Sequence, residues 1–154
     1  MIKEDVKFMK RALSYAKRAY NLGEVPVGCV IVKDGKIISS GYNKRELLQS
    51  SLAHAEIVAI KRATKKLESW RLEDCTLYVT VEPCIMCSGA IIQSRIKRVV
   101  YVALDPRFGM HKSLMNIFDV KFNHNVIIEG GVLEDDCKAL IQSFFKELRN
   151  NKNK

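Results

Sequence analysis

A strand in this chain runs without pause into a pair of cysteines. Thr76-Leu77-Tyr78-Val79-Thr80-Val81 is β-branched, aromatic or aliphatic at every position, the composition of a buried strand. Glu82-Pro83 ends it, and proline suits the opening of a helix, here the one that carries Cys84 and Cys87. Residues three apart on a first turn share one side, so both sulfurs face the same way. A helix N-terminus also lowers a thiol's pKa. The chain must therefore put two potential thiolates where a core strand becomes a helix.

The flanking sequence repeats the alternation of strand and helix. Val6, Met9, Leu13, Ala16 and Tyr20 recur at helical spacing and predict a helix over about 4–22, with Gly23 where it would stop. Val27 to Val32 reads as an apolar strand, turned by Asp34-Gly35 into a second strand through Ile37-Ile38. A further helix is expected from about His54, with Ile57, Val58 and Ile60 inward and Lys61, Arg62, Lys65 and Lys66 on its polar side. Strands follow at Arg98 to Val102 and Val126 to Ile128, separated by a loop from Asp105 to Ser113. The last helix should start at Glu134-Asp135-Asp136 and end with Lys146 and Arg149, the polarity a helix dipole favours. A hairpin followed by alternating helices and strands predicts an α/β sheet with helices on both faces. The 154 residues suit one domain, 1–154, with a frayed basic tail over about 150–154.

Composition narrows the setting. No apolar stretch approaches the roughly 18–20 residues that cross a bilayer, so no membrane association is expected. Five cysteines, two of them in one C-x-x-C, suit reduced thiols in a cytoplasm rather than a disulfide framework. The formal charge of +9 favours a polyanionic partner, although many small proteins are basic without such a role.

Thirty positions before Cys84 stands His54-Ala55-Glu56. One imidazole and two thiolates can hold Zn²⁺, which takes four ligands when structural and keeps a position for water when catalytic. Glu56 would then handle the protons of that water. Two thiolates roughly neutralise the ion, so its water should be less acidic than one held by three imidazoles, which makes the acid obligatory. A redox pair is the bland reading of C-x-x-C. A closed structural zinc would draw its fourth ligand from Cys29, Cys75, Cys137, His111 or His124.

The H-x-E…P-C-x-x-C words match the signature of zinc nucleobase deaminases. They are embedded in Glu24-Val25-Pro26-Val27-Gly28, Gly41-Tyr42-Asn43, Trp70-Arg71-Leu72, Ser94-Arg95-Ile96-Lys97-Arg98-Val99-Val100-Tyr101, Ser113-Leu114-Met115, Asn123-His124 and Phe144-Phe145. Over about 5–149 this closely resembles the bacterial tRNA-specific adenosine deaminases, which convert wobble adenosine to inosine. The resemblance implies a cytidine-deaminase-like three-layer α/β/α sandwich with a five-stranded mixed sheet, and a homodimer. It implies one zinc per chain on His54, Cys84 and Cys87, with Glu56 as proton shuttle. It aligns Val27 with the wall of the base pocket, Asn43 with a residue that hydrogen-bonds the base, and Asp105 with one near the anticodon-loop backbone. The partner it implies is a tRNA anticodon stem-loop, of an arginine tRNA. The loop Asp105-Pro106-Arg107-Phe108-Gly109-Met110-His111-Lys112-Ser113 departs from the usual Asp-x-Lys-x-Gly-Ala-x-Gly-Ser but keeps its positive charge.

An unpaired RNA loop offers bases for stacking and phosphates for cations. Arg107, Phe108, Lys112, Phe144, Phe145, Lys146 and Arg149 are the candidates, and of the two adjacent phenylalanines at least one suits the core. The cluster from Lys61 to Lys66 reads as a solvated face. A free-base or nucleotide deaminase shares the metal words, and a non-catalytic zinc-stabilised RNA-binding module would have no use for Glu56.

Overall fold

The computed structural model describes residues 2–130 and 146–150. In chain order these form α1 (Ile2–Asn21), β1 (Gly28–Lys33), β2 (Lys36–Tyr42), α2 (Arg45–Leu48), α3 (Ala55–Leu67), β3 (Thr76–Val81), α4 (Ile85–Gln93), β4 (Arg98–Ala103), a 3₁₀ turn (Ile117–Asp119) and β5 (Ile127–Gly130). Residues 146–150 are helical. The expected start of the last helix and the tail beyond 150 lie outside the described residues. Neither α2 nor the 3₁₀ turn was expected. Among the described residues no helix is long and apolar enough to cross a membrane.

The strands form one sheet ordered β2-β1-β3-β4-β5, antiparallel where β1 meets β2 and β3, parallel where β4 meets β3 and β5. Parallel neighbours need a crossover, and α4 supplies it between β3 and β4. Between β1 and β2, Asp34 (φ 51°) and Gly35 (φ 74°) are both left-handed, as a two-residue hairpin turn requires.

The register sorts side chains by period two. Val30, Tyr78 and Val100 stand opposite one another and pack with Phe8, Met9 and Ala12 of α1. Their neighbours Ile31, Leu77 and Val99 point the other way, into a core with Ala55, Ala59, Ile60 and Ala63 of α3 and Ile91 of α4. The buried stripe of α3 differs from the expected one. Ala55, Glu56, Ala59, Ile60 and Ala63 are buried, while Ile57 and Val58 are only half-buried. Close approach is the reason: a Cβ on Gly41 of β2 would run into the backbone of Ala55 and Ala59. Small residues on both sides let α3 lie flat on the sheet. Lys61, Arg62, Lys65 and Lys66 are exposed, as expected of a solvated face.

Asp5 of α1 is almost fully buried and accepts two hydrogen bonds from Arg98 (2.8 and 2.7 Å) and one from the Tyr78 hydroxyl (2.6 Å). Arg98 also donates to Glu129 at 3.2 and 3.0 Å, so one guanidinium ties α1, β4 and β5 together.

Candidate active site

Two helix N-termini converge at the carboxyl end of the sheet's centre. His54 is the extended residue capping α3 and Cys84 holds the same place on α4, with φ near −76° and −77°. Ser, Thr, Asp or Asn usually fills that position and bonds the helix's free N–H groups. Here neither side chain makes a capping bond, so both leave their donor atoms available. Pro83 thus lies one residue before the cap rather than inside the helix. Glu56 falls in the first turn of α3, and Cys87 one turn from Cys84, which resolves how residues two apart can border one point.

His54 Nδ1 lies 3.6 Å from the sulfur of Cys84 and 3.6 Å from that of Cys87. All three donor atoms fall within 4.8 Å of one another. Tetrahedral bonds of roughly 2.05 Å to nitrogen and 2.3 Å to sulfur put N and S about 3.6 Å apart, so these donors are spaced for a zinc-sized ion. Their chemistry agrees. The hydrogen bond from Cys87, with help from His54, draws the Cys84 thiol down to about 4, whereas that same bond and burial push the Cys87 thiol far up. Two thiolates this close need a cation between them. The arrangement can hold a metal ion.

No fourth His, Cys, Asp or Glu among the described residues joins this group. Cys29 and Cys75 are buried in the core, His111 meets the Tyr101 hydroxyl at 2.8 Å, and His124 meets the Ile96 carbonyl at 2.6 Å. Cys137 lies outside the described residues. Glu56 is buried, and burial pushes its carboxyl up to about 7. Its neighbours are Cys84, His54 and Cys87.

Val27 and Asn43 are brought together: the Asn43 N–H donates to the Val27 carbonyl at 3.2 Å. The Asn43 side-chain oxygen accepts from the Arg45 N–H at 3.0 Å, which aims its NH₂ elsewhere and leaves it to act as a donor. Sequence reasoning missed what holds this corner. Glu24, buried, accepts from the N–H groups of Glu46 (3.0 Å) and Leu47 (2.7 Å) and so caps α2 directly after Asn43. An acid next to a helix-stop glycine was the available signal.

The predicted loop is a loop, and Asp105 heads it, accepting from the N–H groups of Arg107 (3.1 Å) and Phe108 (3.3 Å). Arg107, Phe108 and Lys112 are exposed. Glu82 was read only as the end of a strand. It is a buried carboxylate bonded to this loop, and although burial opposes ionisation, the Ser113 hydroxyl and loop N–H groups hold it at about 2. Phe144 and Phe145 lie outside the described residues, while Lys146 and Arg149 are exposed.

Comparison with known proteins agrees with this geometry. The MafB19-like deaminase family matches residues 3–149. The tRNA-specific adenosine deaminase of Bacillus subtilis (strain 168) is 47% identical over 97% of this chain and 93% of its own. That of Aquifex aeolicus is 51% identical over 94% and 95%. A structure from a study of A-to-I editing by tRNA:A34 deaminases at the wobble position of transfer RNA superposes with a TM-score of 0.78 at 39% identity, covering 82% of this chain and 98% of that one. A guanine deaminase from Bacillus subtilis gives 0.63 at 36%, covering 75% and 85%. With its five-stranded mixed sheet and its likeness along nearly the whole length, the chain belongs to the tRNA-specific adenosine deaminases, of cytidine-deaminase-like fold.

Proposed function

We propose that this chain hydrolyses adenosine to inosine at the wobble position of a tRNA anticodon, as a single domain with zinc on His54, Cys84 and Cys87. The observation that carries the reading is the triad of donors at zinc spacing, beside a buried acid, in a chain so like enzymes named for this substrate. A zinc ion held there supplies the Lewis acidity that makes water a nucleophile near neutral pH. Glu56 accepts a proton from the attacking water and delivers it to the ring nitrogen, then carries the added hydroxyl's proton to the exocyclic amine as the C6–N bond breaks and ammonia leaves. Its burial keeps bulk water from competing for that proton.

Recognition falls to the remaining groups. The NH₂ of Asn43, opposite the oxygen that Arg45 engages, donates to the base edge, and Val27, half-buried beside it, offers an apolar wall. Asp105 sets the loop on which Arg107 meets phosphate and Phe108 stacks, and Phe145 completes the RNA contact. An arginine tRNA is the expected substrate. A homodimer is supported by the exposed aliphatic residues Leu47, Leu48, Leu52 and Ile85. A cytoplasmic setting suits the free thiols of Cys29, Cys75, Cys84 and Cys87.

The test is incubation of the zinc-loaded protein with an anticodon stem-loop bearing wobble adenosine, followed by nucleoside analysis. Inosine is the expected product. The likeness to a guanine deaminase favours a second reading, in which a free base is the substrate. Ammonia from free guanine, with no inosine from the stem-loop, would replace the first reading by the second.

A further inference from the structure

One buried side chain shapes the whole loop between Asp105 and Ser113. Glu82 is 2% exposed. Its Oε2 accepts from the N–H groups of His111 (2.9 Å), Lys112 (2.7 Å) and Ser113 (3.0 Å). Its Oε1 accepts from the Asp105 N–H (3.1 Å) and the Ser113 hydroxyl (2.5 Å). The first and last residues of the loop are thereby tied to one carboxylate. Gly109 sits against it so closely that a Cβ there would overlap the carboxylate itself. The Met110 N–H donates to the Pro83 carbonyl at 3.1 Å, a second tie to the same short segment.

Every partner of Glu82 is a donor, so the site calls for an acceptor at both oxygens. An ionised carboxylate meets that need, whereas an amide of the same shape would turn an NH₂ towards N–H groups. Glutamine therefore keeps the volume but sets its NH₂ against at least the Asp105 N–H, even where the Ser113 hydroxyl turns to accept, and leaves that buried donor unpaired. The loop so held presents Arg107 and, next to it, Phe108, which is 61% exposed. A cation beside an exposed aromatic ring is the pair that meets a phosphate and a stacked base on single-stranded RNA. Glu82 also stands two residues before Cys84, so one short stretch of backbone sets both the metal donor and the loop.

We propose that Glu82 is a positioning residue for the RNA substrate, holding Arg107 and Phe108 in register with the metal centre. The inference rests on the proposed RNA deamination and assigns part of its substrate selection to a residue that faces away from solvent. Its bonds go to the loop, so its loss is read in substrate binding before it is read in chemistry.

The experiment measures steady-state kinetics on the anticodon stem-loop, together with zinc content, for wild type, Glu82→Gln, Arg107→Ala, the double variant and Ser113→Ala. Glu82→Gln should raise KM about tenfold or more, with kcat within about threefold of wild type and zinc unchanged. Its KM should depend less steeply on salt, because a cation no longer meets phosphate. Arg107→Ala should raise KM in the wild-type background and add little once Glu82 is Gln. Ser113→Ala removes one of the five bonds and should shift KM the same way by less, which decides the matter if Glu82→Gln does not fold. Unchanged KM in both, additive effects of Glu82→Gln and Arg107→Ala, or a fall in zinc or kcat at constant KM would overturn the inference. Wild-type protein that yields no inosine defeats the function reading and this inference with it. Inosine from wild type with unaltered variants defeats this inference alone.

Discussion

The two faces of the sheet treat buried polar groups in opposite ways. Under α1, Asp5 is matched by Arg98 and Tyr78, and Arg98 in turn by Glu129, so each charge and hydroxyl there has a partner. Across the sheet, where α3 and α4 begin, His54, Cys84, Cys87 and Glu56 crowd together, three metal-binding donors beside one buried acid. Burial of a carboxyl with its pKa pushed up to about 7 is costly, and such groups cluster where they have chemical work. The packing follows the same division. Large side chains such as Phe8, Met9 and Tyr78 fill the α1 face, while alanines on α3 bring its first turn close to the strands. One face closes the fold and the other holds the reagents.

Changes on the reagent face should abolish activity and spare the fold. Cys87→Ala should lose zinc and at least about a thousandfold in turnover, measured by metal analysis and inosine formation. Glu56→Gln should keep zinc and lose about 10²- to 10⁴-fold in kcat. A Gln variant of near-normal rate would end the distinction between the faces.

Changes on the closing face should do the reverse. Asp5→Ala strands the Arg98 charge, and breaking a buried pair costs about 3–5 kcal/mol. The lower end applies, because Arg98 keeps Glu129. Thermal melting should show the loss, and kcat of the folded variant should hold. Milder still is acid. Burial works to raise the Asp5 pKa, but the bonds from Arg98 and Tyr78 outweigh it and hold it below the ordinary 3.8. On acidification the unfolded chain then takes up this proton first. The stabilisation is thus complete above pH 3.8 and disappears as pH falls through the lower folded value. Urea titrations at several pH values should find a shallower acid-side slope for Asp5→Asn than for wild type. The smallest effect belongs to the surface: Arg107→Ala should raise KM a few-fold and reduce the salt slope by about 0.7.

The hairpin, the strand–Pro–C-x-x-C passage and the metal donors were legible because each depends on neighbours in sequence. Period-two alternation, a turn with two left-handed residues and three-residue spacing are local rules, and the structure obeys them. The burial of α3 was not legible in that way. Ile57 and Val58 are more hydrophobic than Ala59, yet Ala55, Ala59 and Ala63 are the buried ones. It is Gly41, on another element, that lets β2 approach the helix backbone there and the Val58 side chain. Hydrophobicity ranks residues, but the distance between elements decides which of them fit.

The sequence by itself determined which atoms could bind a metal, and that an acid stood next to them. Tertiary structure alone decided that His54 and Cys84 would both cap helices and meet at 3.6 Å, since thirty residues of sequence separate them. It alone decided the work of Glu24 and Glu82, each a carboxylate whose partners lie some twenty to thirty positions away. Local physics sets the conformation of a segment, and only packing determines which distant N–H groups a buried charge will find.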